Sequence, residues 1–179
     1  MDSLRQVPVK VHGTPNSSQE SVDFAMDVFG IDKPHYTKSP KFDQGLMDRG
    51  LIVGSSFGKN RTVSVGPAAF ESWGLLASTL AHEIEVHANQ SFLHIQLSDA
   101  VKNVKEYAFN WLNEKGSRFA IFFEPDLTGT TEAEREAYQH EMNSALRFGL
   151  SDHEVQSIFN VMERYYPIVQ TEHGHGHSH

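Results

Sequence analysis

The chain has 179 residues, a formal charge of −8 and no cysteine. That length suits one domain with one sizeable core. The acid excess argues against a nucleic-acid surface, which needs a basic face, and the absence of Cys removes disulfides, thiolate metal ligands and cysteine nucleophiles.

In chain order, Gln6 to His12 alternates in polarity and predicts a strand. Ser17-x-x-Glu20 forms a capping box, Val22, Ala25, Met26 and Phe29 follow at helical spacing, and Gly30 closes the helix. Residues 31–50, with Pro34 and Pro40, read as loop. Leu51 to Val53 and Thr62 to Val65 predict a hairpin around Gly58-Lys-Asn-Arg61. Gly66-Pro67 ends it and opens a helical turn reaching Trp73, and a long helix then runs from Leu75 to Leu97. Ser98-Asp99 caps a further helix with Val101, Val104, Ala108, Trp111 and Leu112 on its apolar face, and Gly116 stops it. The apolar run Phe119 to Phe123 fits a buried strand or a packed loop equally well. Thr131-x-x-Glu134 caps a helix to Phe148, stopped by Gly149, and Ser151-x-x-Glu154 caps a last helix with Val155, Ile158, Phe159 and Met162 along one side.

These elements predict an α+β fold, mainly α, over residues 1–170: a small N-terminal sheet or hairpin packed on the long helix, with further helices after it. Residues 171–179, ending in His173-Gly-His-Gly-His-Ser-His179, read as a flexible His-rich tail. No apolar run approaches the ~20 residues of a membrane span, and the first 30 residues lack the apolar core of a secretory signal.

The long helix carries His82-Glu83-Ile-Glu-Val-His87, one residue longer than the zinc-protease pattern His-Glu-x-x-His. Residues four apart stack on one face of a helix, whereas residues five apart diverge by about 140°. A single π-bulge would absorb the extra residue and let His82 and His87 share a metal, with Glu83 beside them as general base. A regular helix would instead align Glu83 with His87, Gln90 and His94, and a hydrogen-bonded polar cluster without an ion is the plain alternative. A zinc site needs a third protein ligand, and the stretch Glu132 to Glu141 offers Glu136, Tyr138, His140 and Glu141. Its plain reading is a solvated helix whose acidic first turn complements the dipole. Glu83/His87 and Glu136/His140 on facing helices would make a different metal enzyme, suited to iron or manganese as well as zinc.

Thr62-Val-Ser-Val-Gly-Pro-Ala-Ala-Phe70, leading into Leu76-Ala-Ser-Thr-Leu-Ala-His82-Glu83, resembles the metallopeptidase toxin domains at the C-termini of bacterial Rhs and other polymorphic toxin proteins. So do Glu134-Arg-Glu-Ala-Tyr138 with Glu141, Ala145-x-Arg-Phe-Gly-Leu150-Ser, and the terminal Tyr165-Tyr-Pro167. The likeness spans residues 60–90 and 131–167. It implies a zincin-like fold holding Zn2+ through His82, His87 and Glu136, with Glu83 as general base. In such a site Tyr138 or His140 could stabilise the oxyanion.

The resemblance further implies a zinc-dependent peptidase or amidase acting on a protein or peptide. Such a domain is delivered into a target cell by a specialised secretion system without a signal peptide, with an immunity protein or a secretion-apparatus carrier as partner. Many relatives read His-Glu-x-x-His, so this chain departs at its central motif, and residues 98–123 match nothing in the family. The alternative is an effector that keeps the scaffold, lacks catalysis and acts by docking to a host or competitor protein.

Overall fold

Helix α1 (Gln19–Val28) starts one residue later than its predicted cap, because Ser18 and not Ser17 accepts the Ser21 N–H. Val22 and Ala25 are fully buried on its inner face, and Gly30, at φ +60°, ends it as expected. The computed structural model describes residues 10–53, 61–90 and 128–168.

Three short strands follow, β1 (Lys41–Phe42), β2 (Gly50–Val53) and β3 (Thr62–Val65), in the order β1-β3-β2. β2 and β3 form the predicted antiparallel pair, with Leu51 opposite Ser64. β1 lies inside the stretch read as loop and pairs with β3 in parallel. No hydrophobic pattern marks it, because much of its support comes from one side chain: the Gln19 amide donates to Pro40 O and accepts from Phe42 N–H. Of the first predicted strand, residues 6–9 lie outside the described range, and residues 10–12 form no strand.

Pro67–Glu71 forms a 3₁₀ turn, and Ser72 then caps helix α2 (Trp73–Ala81) by accepting the Leu75 N–H at 3.0 Å. Every residue of α2 from Gly74 to Ala81 is buried. The helix is the spine of the molecule, with α1 and β3 against it, and Phe29, Val63, Val65, Leu76, Leu80 and Phe148 fill the shared core. It runs directly into a π-helical segment, His82–His87. The predicted continuation over 91–97, the helix from Ser98 to Gly116, the run Phe119 to Phe123 and the His-rich tail lie outside the described residues.

Helix α3 (Thr128–Asn143) begins three residues before its predicted Thr131 cap. Asn143 ends it, so the expected single helix to Phe148 is two, the second being α4 (Ala145–Phe148). Helix α5 (Asp152–Tyr165) has the predicted capping box of Ser151 and Glu154 and buries Ile158 and Met162. The architecture is α+β and mainly α, with a small three-stranded sheet. Among the described residues no helix is long and apolar enough to cross a membrane.

Candidate metal centre

The extra residue in the histidine motif is taken up by the π segment. The Ala88 N–H donates to Glu83 O at 2.9 Å, a bond over five residues that turns His82 and His87 to the same side. The loosened end is held from outside. Arg61, buried beside β3, donates to the carbonyls of His87 (2.6 Å) and Gln90, and the Asn89 side chain donates to Glu85 O at 2.9 Å. Those donors satisfy carbonyls that a helix end leaves without partners.

His82 Nε2 and His87 Nε2 stand 3.0 Å apart. Glu134, reaching in from α3, places its carboxylate oxygens 3.7 Å from the first and 3.4 Å from the second. A tetrahedral ion with ligands at 2.0–2.2 Å separates them by about 3.3–3.6 Å, and the distances of 3.0, 3.4 and 3.7 Å lie within a few tenths of an ångström of that spacing. These three residues are the group able to hold a metal among the described residues.

The tautomers follow from the partners behind each ring. His82 Nδ1 lies 2.7 Å from Glu141 Oε1. That carboxylate is fully buried and also accepts two hydrogen bonds from Arg49 and one from Ser78, so Nδ1 is the donor. His87 Nδ1 lies 2.7 Å from Gln90 Oε1, and the Gln90 amide is oriented by its Nε2 donating to Ala133 O and Glu136. Both Nδ1 atoms therefore carry hydrogen, and both Nε2 lone pairs face each other beside a carboxylate. Three electron-rich atoms converge on a point that a cation or a proton would reconcile.

The electrostatics agree. Burial pushes the His82 imidazolium down, but hydrogen bonds to Glu134 and Glu141 outweigh it and raise the ring to about 9. Burial would raise both carboxyls, yet the two histidines hold Glu134 down to about 2, and Arg49 with His82 does the same for Glu141.

Glu83 is buried at 6 % exposure, and its carboxylate makes no hydrogen bond or ion pair among the described residues. Burial raises its carboxyl, with His82 and His87 opposing in part. It faces a cleft of about 650 Å³ whose walls include β2, the histidines, Glu134 and Tyr138. The Tyr138 ring meets the His82 ring edge-on at 4.9 Å and lies against the Tyr166 ring, tilted by 32°, at 5.7 Å. Burial pushes the Tyr138 phenol up to about 12, and burial with nearby Glu134 raises that of Tyr166.

The structure thus brings together His82, His87, Glu83 and Tyr138. Glu136, expected as the third ligand, is exposed and hydrogen-bonded to Gln90, while Glu134 takes the inner position. His140 is drawn to Glu85 at 2.9 Å, which also pairs with Arg147, so Glu83/His87 and Glu136/His140 do not form one four-residue site. His94 lies outside the described residues. The sequence reading missed Glu134 because Thr131-x-x-Glu134 resembles a capping box. Since α3 starts at Thr128, Glu134 sits well inside the helix, free to face the histidines. Comparison with protein-family models, with characterised proteins and with solved structures finds no match to this chain.

Proposed function

We propose that this chain is a zinc-dependent peptidase or amidase of zincin-like type, serving as a bacterial toxin or effector domain delivered into a target cell. The observation that carries this reading is the convergence of two imidazole lone pairs and a carboxylate, each histidine fixed by a hydrogen bond on its far nitrogen. Three protein ligands and an adjoining cleft suit a catalytic site better than a structural one, which closes with a fourth ligand. Zinc bound there would supply a Lewis acid that polarises a carbonyl and acidifies water.

Glu83, buried beside the group with a carboxylate that has no hydrogen-bond partner among the described residues, is the base. It takes a proton from the attacking water and returns it to the departing amine. β2 forms one wall of the cleft and pairs with β3 alone among the described residues, so its other edge can receive an extended peptide. The motif's likeness to polymorphic toxin domains supports the biological setting, with an immunity protein or secretion-apparatus carrier as partner.

Elemental analysis of the full chain and of His87→Ala tests the site, since the His-rich tail contributes equally to both. The wild type should carry about one more zinc per chain than the variant; equal contents would sink the proposal. Glu83→Gln should keep the metal and lose roughly 10²–10⁴-fold in hydrolysis of an unfolded protein substrate. Metal without hydrolysis in the wild type would favour the docking effector.

A further inference from the structure

Tyr166 is the phenol with the best claim on substrate. It follows α5, and its backbone is stapled to α3. Arg135, next to Glu134, donates to Tyr166 O at 2.6 Å and to Glu163 at 2.8 Å, and the Tyr166 N–H donates to Met162 O. The Arg135 side chain is only 12 % exposed, so its guanidinium is committed to this staple. The staple sets the Tyr166 ring against Tyr138 and into the wall of the cleft that holds His82, Glu83 and Glu134.

The two phenols differ in what they can offer. The Tyr138 hydroxyl lies by the Arg49 guanidinium, which is itself bound to Glu141, and its ring packs on His82. Tyr138 therefore belongs to the support of the histidine. The Tyr166 hydroxyl has no hydrogen-bond partner among the described residues, and it feels the charges of Glu134, Asp48 and Glu83. An unengaged donor beside the base and the metal group is placed for an oxygen that gains charge.

We infer that Tyr166 is a catalytic residue that donates a hydrogen bond to the carbonyl oxygen of the scissile amide; this rests on the hydrolase reading above. As the water oxygen bonds to the carbonyl carbon, the C=O π pair moves onto that oxygen, and the Tyr166 O–H stabilises it without giving up its proton. Glu83 accepts the water proton and passes it to the nitrogen as the C–N bond breaks, giving acid and amine. Tyr165, 62 % exposed and absent from the cleft wall, is the neighbouring phenol with no such part.

The test compares Tyr166→Phe, Tyr138→Phe and Tyr165→Phe in the full zinc-loaded chain. Three quantities are read: zinc content, turnover of an unfolded protein substrate, and calorimetric affinity for an Ala-Ala phosphinic pseudo-dipeptide, a mimic of the tetrahedral carbon. Tyr166→Phe should keep wild-type zinc and melting temperature. It should lose roughly 10²-fold or more in kcat with little change in KM, and bind the phosphinic probe correspondingly less tightly. Tyr165→Phe should match the wild type, and Tyr138→Phe should show the smaller kcat loss together with weakened zinc retention. Wild-type kcat and probe affinity in Tyr166→Phe, or a larger kcat loss in Tyr138→Phe at full zinc occupancy, would overturn the assignment alone. A wild type that holds no zinc, or holds it yet neither hydrolyses nor binds the probe, would bring down the hydrolase reading and this assignment with it.

Discussion

Gly50 controls how Glu83 is presented. A Cβ on Gly50 would fall 2.7 Å from Glu83 Oε1 and 2.9 Å from both Glu83 Cγ and Thr79 Cγ2. The carboxylate tip could swing aside, but the buried Cγ and the Thr79 methyl have little room. Gly50→Ala should therefore displace Glu83 into the cleft while leaving the histidines in place. The expected result is a stability loss of about 1–3 kcal/mol by urea titration, unchanged zinc content and a larger fall in turnover. Unchanged turnover would show that Glu83 is not the base.

At this scale the sequence was an uneven guide. His82, Glu83 and His87 were legible because a His-Glu pair with a second His on one helix is close to a known metal-ligand spacing. The roles of Glu134 and Glu141 were hidden, because a carboxylate on an acidic helix looks alike whether it faces solvent or a buried imidazole. Glu134 and Glu141, seven residues apart, share one face of α3, and the packing of that helix on the π segment turns both inward.

Between elements, the site depends on a π segment that a periodic reading can name but not place. A bulge was the one way for His82 and His87 to meet, yet its stability comes from Arg61 and Asn89, which are contacts of the folded chain. β1 was invisible for a similar reason, being two residues supported by the Gln19 side chain.

The joint between α2 and α5 gives a prediction at this level. Glu154 accepts from Ser151 N and Oγ in its own capping box and from the hydroxyl of Ser72, the cap of α2. Burial pushes its carboxyl up, but the hydrogen bonds from Ser72 and Ser151 prevail and lower it from 4.5. A folded value below the unfolded one gives stability that is complete above 4.5 and disappears as pH falls through the lowered value. Glu154→Gln should thus be about 1 kcal/mol less stable at pH 7, with the gap to wild type closing as pH drops below 4.5. A gap that persists at the lowest pH in denaturant titrations would mean that lost packing, not the charge, is responsible.

For the whole molecule, the metal group sits where separate parts of the chain meet. His82 and His87 extend the core helix α2, Glu134 comes from α3, and Arg49, next to β2, locks Glu141 behind His82. An ion held there ties α3 to the spine, and no such arrangement survives in an unfolded chain, so binding becomes folding stability. At free zinc 100-fold above the dissociation constant the gain is about 2.7 kcal/mol, or about 5–10 °C in Tm for a chain of this size. Scanning calorimetry of the metal-free chain with and without zinc should show that shift, and His87→Ala should lose it even though the His-rich tail is intact. The net charge of −8 favours cation capture generally, so the variant is the deciding control. A shift of equal size in both proteins would locate the zinc in the tail or on the surface. A shift confined to the wild type would make the buried group the place where the ion and the fold stabilise one another.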